Sequence, residues 1–343
     1  MNSLLNNHLS FLADKLNGKT ILVSGATGLI GARIIALISK LHNEYDNSIK
    51  GIGLYRNESK LKKTMPVVPD GIEFCRWDMD EDTVQEIGSY DAIIHCAGIS
   101  GGKKMHLKDP RRFFTTNIGS TQKLLDFNTL HCKAPFLFVS SYEVYGDVQQ
   151  ETPFNEEYPS TVDTFAIRSS YAEMKRMSEM MCCMWSSQFG FDSYSARLTS
   201  TFGEGVEYDD PRFFAEFARC IIEERDIILK SSGGTVRSYL DADDAAIAML
   251  YVIANGQNGN AYNLTNMDNA INIRDIANKM IKVADSNIQL KFDITEDVSK
   301  LGYRKEGCTL MDSTKLMDLG WKPVYTLDET IKKMIESMRN NKN

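Results

Sequence analysis

Tyr171 and Lys175 lie four residues apart in a stretch with helical patterning (Ser169–Gln188), so one turn carries a phenol above an ammonium. A free phenol has a pKa of about 10, too high for a base at neutral pH; a nearby cation favours the phenolate. Ser140 and Ser141 end an apolar run, Phe136–Ser140, and offer a hydroxyl to complete a proton path. Far upstream, Gly25-Ala26-Thr27-Gly28-Leu29-Ile30-Gly31 follows the buried-strand pattern Lys19–Ser24 and opens an amphipathic helix. Backbone N–H groups and the helix dipole at such a junction suit a pyrophosphate. The spacing is GxxGxxG, and its strand–loop–helix context points to dinucleotide binding rather than to a structural turn.

Elements that would position these groups alternate along the chain. Strands are expected at Gly51–Tyr55, Ile72–Trp77, Ala92–Cys96, Phe136–Ser140 and Ser193–Leu198, with long helices at Phe113–Leu130 and Ser169–Gln188. Alternation of this kind predicts an α/β fold, a doubly wound parallel sheet of Rossmann type. Residues 1–18 read as an N-terminal helical extension, with Leu9 to Leu16 amphipathic. Residues 19–200 read as the dinucleotide domain, and 201–343 as a smaller α/β substrate lobe with an interleaved boundary. That lobe is expected to hold helices at Arg212–Glu224, Asp243–Ala254, Ile273–Ala284 and Leu327–Met338, and strands such as Ile227–Leu229 and Ala261–Leu264.

Composition narrows the class. The chain has 343 residues, 43% hydrophobic and 25% charged, enough for a large core. No apolar run approaches the roughly 20 residues of a membrane span, and the N-terminus lacks signal-peptide character. A net charge of −7 argues against nucleic-acid or membrane-surface binding. Seven scattered cysteines without CxxC suggest reduced thiols and a cytoplasmic location, and five unclustered histidines suggest no metal.

The cofactor's identity turns on Leu54-Tyr55-Arg56-Asn57-Glu58. An acid after the second strand would serve the ribose hydroxyls of NAD, whereas Arg56 stands where a 2′-phosphate partner would. The reading leans to NADP; the other reading leaves Arg56 on the surface and binds NAD. Asp78, in Trp77-Asp78-Met79-Asp80, is either an adenine acceptor or a helix cap.

Taken together, GATGLIG at 25–31, HCAG at 95–98, TTNIGST at 115–121, SSYEVYG at 140–146, RSSYAEMKR at 168–176, RLTSTFGEG at 197–205, RSYLDADD at 237–244 and DSTKLMDLGWKP at 312–323 cover nearly the whole chain. The chain resembles the extended short-chain dehydrogenase/reductases, in their nucleotide-sugar epimerase/dehydratase branch. That resemblance implies oxidation at the sugar C4 hydroxyl to a 4-keto intermediate. It implies Tyr171 as the base, Lys175 as the group that lowers its pKa and holds the nicotinamide ribose, and Ser141 as the hydroxyl orienting the C4 oxygen. Substrate contacts are implied for Asn117, Tyr142, Arg212 and Arg237, the last gripping a pyrophosphate unless it is a surface ion pair. The cofactor set becomes Gly25, Thr27, Gly28, Leu29, Ile30, Gly31, Arg56, Asn57, Asp78, Met79, Cys96, Ala97, Gly98 and Leu198, with Tyr171 and Lys175. A homodimer is implied through the Phe113–Leu130 and Ser169–Gln188 helices, whose Met177, Met180, Met181 and Met184 face either a partner or the core.

The reaction after oxidation depends on Ser141-Tyr142-Glu143. The 4,6-dehydratases of the resembled family read Thr-Asp-Glu or Thr-Ser-Glu there, with the Asp as acid and the Glu as C5 base. Here Glu143 is kept, as base or as a loop anchor, and Tyr142 takes the acid's place. UDP-glucuronate decarboxylases carry an RSxYxEGKR segment close to Arg168–Arg176. Ser200 stands for a common asparagine and Gly203-Glu204 for Gly-Pro, which implies a shifted sugar pocket. The leading reading is a decarboxylase, dehydratase or epimerase acting on a nucleotide sugar. A dissociable NADPH-dependent carbonyl reductase and a non-catalytic dinucleotide sensor are the alternatives.

Overall fold

A computed structural model describes residues 3–45, 48–78, 87–99, 111–148, 150–294 and 306–342. β1 (Thr20–Ser24), β2 (Lys50–Tyr55), β3 (Ile72–Arg76), β4 (Ala92–His95), β5 (Phe136–Ser141) and β6 (Ser193–Leu198) form the main sheet with a seventh strand, Asn260–Leu264. The order is Asn260–Leu264, β6, β5, β4, β1, β2, β3, and every pairing is parallel. A parallel sheet is covered on both faces, which is why TILVS and AIIH are unbroken apolar runs. Ile21, Val23, Ile94 and Leu137 point into a core shared with helices Ser3–Lys15, Leu29–Glu44 and Ala242–Asn255. Leu22, Ile93, Phe136 and Phe138 point the other way, onto helices Gly119–Leu130 and Ser170–Phe189. Strand order reverses between β1 and β4, so the binding crevice of such a sheet opens at their carboxyl ends.

Two expectations need correction. Ala261–Leu264 is expected in the smaller lobe, yet Asn260–Leu264 pairs with β6, and Tyr262 and Leu264 are buried in the main core. The edge of β6 needs a partner, and the chain returns from the lobe to supply it. The expected continuous helix at Phe113–Leu130 is a helical turn (Arg111–Phe113), a π-helical turn (Phe114–Ile118) and an α-helix (Gly119–Leu130). A π-turn inserts an extra residue and re-aims the side chains within it.

The smaller lobe holds a four-stranded sheet of Ser200–Phe202, Val236–Asp241, Asn266–Asn272 and Cys308–Thr309. Helices Phe213–Ile222, Ile273–Val283 and Leu327–Asn340 bury Phe214, Phe217, Ile276, Met280, Ile331 and Met334 in a second core. Leu29, at the start of the glycine-loop helix, packs on that second core. Charge joins the two parts as well. Lys333 Nζ reaches Asp241 at 3.1 Å and Asp243 at 2.6 Å, while Arg33 Nε reaches Asp243 at 2.5 Å and Arg33 Nη1 reaches Glu204 at 3.3 Å. The Asp241 side chain is 0% exposed, so its charge depends on Lys333. Among the described residues no helix is long and apolar enough to cross a membrane.

A buried hydrogen-bond chain ties the crevice together. Thr121 Oγ1 donates to the Asn117 carbonyl at 2.8 Å and so accepts from His95 Nε2 at 3.1 Å. His95 Nδ1 then accepts from the Ser24 hydroxyl at 2.6 Å, and Ser24 Oγ accepts from the Ala97 N–H at 3.1 Å. Burial pushes His95 down to about 3, with the Lys175 ammonium adding to the shift. The folded protein therefore binds fewer protons here than the unfolded chain between about pH 6.5 and pH 3. His95 thus leaves stability intact above pH 6.5 and erodes it as pH falls through that window. In His95→Gln, thermal melts should lose less Tm from pH 6.5 to pH 4 than wild type; an identical acid slope would contradict the assignment.

Candidate active site

Gly25 has φ +67, and a Cβ there would lie 2.8 Å from the backbone of Ala97. A Cβ on Gly31 would lie 2.3 Å from the Gly25 carbonyl oxygen. Those two glycines let β1, the exit of β4 and the Leu29–Glu44 helix meet. Gly28 has a different task. It is the N-cap of that helix and supplies no side-chain acceptor, unlike Asn57, Asp241, Asn272 and Thr326 at other helix starts. The helix N-terminus is left without an acceptor of its own, which fits a dinucleotide pyrophosphate. Thr27, Leu29 and Ile30 are half-buried around it.

At the end of β2, Arg56 is exposed and makes no ion pair among the described residues. Asn57 caps helix Glu58–Thr64 by accepting from the Lys60 N–H at 3.0 Å. Asp78 lies 4.0 Å from Arg76. Met79 lies outside the described residues. After β4, the Gly98 Cβ position lies 2.4 Å from Asn117 Oδ1, so only glycine fits. Cys96 is a neutral thiol, pushed up to about 12 by burial against the pull of Lys175. Leu198 ends β6 beside β5.

The expectation for Asn117 is a substrate contact. The structure gives its amide to the chain itself: Oδ1 accepts from the Ile99 N–H at 2.7 Å, and the side chain is buried. The π-turn directs it there, so Asn117 fixes the loop after β4. Arg212 is likewise expected to meet substrate, but it is clamped by Asp210, with Nη2 to Oδ2 at 2.6 Å and Nε to Oδ1 at 3.0 Å.

Beyond β5 the chemistry converges. Ser141 Oγ accepts from the Glu143 N–H at 3.2 Å and lies near enough to Tyr171 to favour its phenolate. Lys175 Nζ donates to the Val139 carbonyl at 2.7 Å, 4.7 Å from the centre of Phe138 and 5.8 Å from that of Tyr171. Burial pulls Lys175 down to about 8, opposed by the Glu179 carboxylate. Tyr171 does not show the expected depression. Burial raises it above its ordinary value and the Glu143 charge adds to that, while the Ser141 hydroxyl and the Arg212 charge pull the other way. The ammonium expected to lower it is committed to Val139.

Each of the next two residues holds an arginine. Tyr142 Oη accepts from Arg237 Nη1 at 2.8 Å. Glu143 takes Arg168 bidentately, at 2.8 and 2.9 Å. The sequence alone assigns Arg168 no role; its place three residues before Tyr171 is the available signal. Beneath, Glu179 accepts from Ser140 at 2.5 Å and from Arg197 at 3.1 and 2.8 Å, and Arg197 also donates to Tyr145 Oη at 3.0 Å. This layer supports the end of β5, and Glu179, which draws it together, lies outside the motifs.

The profile of the NAD dependent epimerase/dehydratase family matches residues 21–265. UDP-glucuronic acid decarboxylase 5 from Arabidopsis thaliana is 26% identical over 316 residues, 88% of this chain and 90% of the relative. Among solved structures, UDP-glucuronic acid 4-epimerase from Bacillus cereus, in complex with UDP-glucuronic acid and NAD, superposes with TM-score 0.77 and 20% identity over 94% of this chain and 99% of that one. The dTDP-glucose 4,6-dehydratase from Streptomyces venezuelae gives TM-score 0.78 and 19% identity over 94% and 98%. The match spans the sheet, the glycine loop and the Tyr171–Lys175 helix, and the chain belongs to the NAD-dependent epimerase/dehydratase family.

Proposed function

We propose that this enzyme converts a nucleotide sugar through a 4-keto intermediate, with Ser141 and Tyr171 moving the proton of the C4 hydroxyl. The observation that carries this reading is the juxtaposition of Ser141 and Tyr171 at the carboxyl end of β5, beside Lys175 and across the switch point from the uncapped glycine-loop helix. When bound, the nicotinamide supplies a hydride acceptor. The chain handles the proton: Ser141 Oγ bridges the sugar oxygen to Tyr171 Oη, and Lys175 in its charged form favours the phenolate against burial. The three relatives decarboxylate, epimerise and dehydrate nucleotide sugars by name.

The site's electrostatics favour the first two outcomes. Dehydration across C5 and C6 needs a proton donor for the leaving hydroxyl and a base for the C5 proton. Position 142 carries a phenol rather than an acid, and Glu143 is held by two charge-assisted bonds, which stabilise its carboxylate and weaken it as a base. A 4-keto sugar acid instead loses carbon dioxide by breaking C5–C6, with the electron pair passing into the adjacent carbonyl and a proton returning to C5. The cofactor's finer identity rests on Arg56, which at the end of β2 suits a 2′-phosphate and favours NADP; a dissociable NADPH-dependent reduction is the second reading that Arg56 supports. The substrate partner is a small nucleotide sugar. The seven cysteines are unpaired, in keeping with a cytoplasmic location. Met177, Met180 and Met184 are 50%, 60% and 55% exposed along one stripe of helix Ser170–Phe189, while Met181 is buried. We assign that stripe to a homodimer contact.

Three measurements test these readings. With UDP-glucuronic acid in a panel of UDP-, GDP-, CDP- and dTDP-sugars, mass detection should find loss of carbon dioxide or an isobaric product. Glu143→Gln, which removes the carboxylate that holds Arg168 beside Tyr171, should cut that turnover about 100-fold with cofactor affinity unchanged; water loss contradicts the scheme, and full turnover in that variant removes the Glu143–Arg168 pair from it. Arg56→Ala should shift the ratio of NADP to NAD dissociation constants about ten-fold toward NAD; an unchanged ratio removes Arg56 from recognition. Light scattering should report a dimer that M180E/M184E converts to monomer, and a monomeric wild type would refute the interface.

A further inference from the structure

We propose that Tyr142 is a positioning residue for Arg237, and that the two form one paired donor for an anionic group of the substrate. This rests on the nucleotide-sugar reading and adds a recognition device to it. Arg237 lies on strand Val236–Asp241 of the smaller lobe, and Tyr142 on the turn that follows β5 of the main sheet. Their bond therefore crosses from one lobe to the other at the site.

Three observations carry the argument. First, among the described residues Arg237 has no carboxylate within ion-pair distance, and its one side-chain bond is Nη1 to Tyr142 Oη at 2.8 Å. The neighbouring arginines differ: Arg168 has Glu143, Arg212 has Asp210 and Arg197 has Glu179. A guanidinium carries five N–H donors, so most of Arg237 is left for a ligand. Second, because Tyr142 Oη accepts from Arg237, its own hydrogen remains available, and among the described residues no acceptor takes it. A phenol that accepts from a cation is a stronger donor onward. Third, Tyr142 is buried, and its ring centre lies 5.7 Å from the guanidinium carbon, which limits the arginine's freedom. Adjacent Glu143 is already neutralised by Arg168, so the cluster keeps an uncompensated positive charge beside Ser141 and Tyr171. A carboxylate on the sugar and a phosphate of the nucleotide share the oxyanion chemistry this pair would bind.

Titration calorimetry with UDP, UDP-glucose and UDP-glucuronic acid as probes tests the pair in wild type, Y142F, R237M and the double variant. Y142F keeps the buried ring and removes only the hydroxyl. It should weaken binding about ten-fold, and should weaken it further by less than two-fold in the R237M background. R237K keeps charge but not the planar fork, and should show part of the R237M loss. Equal losses for all three probes place the anion on the pyrophosphate; a loss confined to UDP-glucuronic acid places it on the sugar carboxylate. Either supports the pair. Wild-type affinity in Y142F, or losses that simply add, overturns it. Should wild type bind none of these probes, the nucleotide-sugar reading fails, and inorganic pyrophosphate becomes the probe under the same criteria. No pyrophosphate binding by wild type would then overturn the pair too.

Discussion

The chain of hydrogen bonds from Ala97 through Ser24, His95 and Thr121 to Asn117 fixes the crevice on which everything else depends. It joins the ends of β1 and β4, the two strands between which the sheet reverses order, to the π-turn and helix behind them. Each donor has one acceptor, so the register of these parts is set without slack. Asn117 extends the chain to Ile99 and forces glycine at 98. The protonation state of His95 is part of the same design, since an imidazolium could not accept from Ser24. Burial deep enough to keep it neutral is thus a structural requirement of the cofactor loop's surroundings.

The site above this frame is governed by how charge is shared among arginines. Glu143 sits close enough to Tyr171 to oppose its ionisation, and Arg168 offsets that carboxylate. Arg212 pulls the phenol the other way while held by Asp210. Tyr171 therefore titrates in a field set by two arginines, one carboxylate and its own burial. The Lys175 ammonium, anchored on Val139, is a smaller influence than its spacing alone suggests. Such balances are sensitive to a single added charge, which makes an anionic substrate part of the site's electrostatics.

Much of this is legible in the sequence, for physical reasons. Runs such as TILVS and AIIH can hardly be anything but strands buried on both faces, and the glycine loop between strand and helix announces the crevice. Ser141, Tyr171 and Lys175 stand out because their roles depend on local spacing. The illegible parts depend on partners far away in the chain. Nothing near Arg168 shows that it will meet Glu143. Asn117 is placed at the site by its motif, but the π-turn that aims it at Ile99 has no local signature. Ala261–Leu264 reads as a strand on its own residues, yet which sheet it joins is decided by the exposed edge of β6. The upward shift of Tyr171 is hidden because burial is a property of the folded whole.

The strand Asn260–Leu264 has a consequence for how the molecule comes to exist. Until residue 264 has been synthesised, β6 presents an open edge of unpaired N–H and C=O groups, although every other strand of its sheet is already made. Most of the smaller lobe's first half must emerge before that edge can close. Helix Ala242–Asn255, which covers one face of the same sheet, arrives in the same late interval. Neither lobe is a contiguous stretch that can finish first, so the chain carries a high contact order and a vulnerable nascent stage. The same threading that denies the lobes independent birth denies them independent unfolding: pulling the smaller lobe apart strips the main sheet of its last strand.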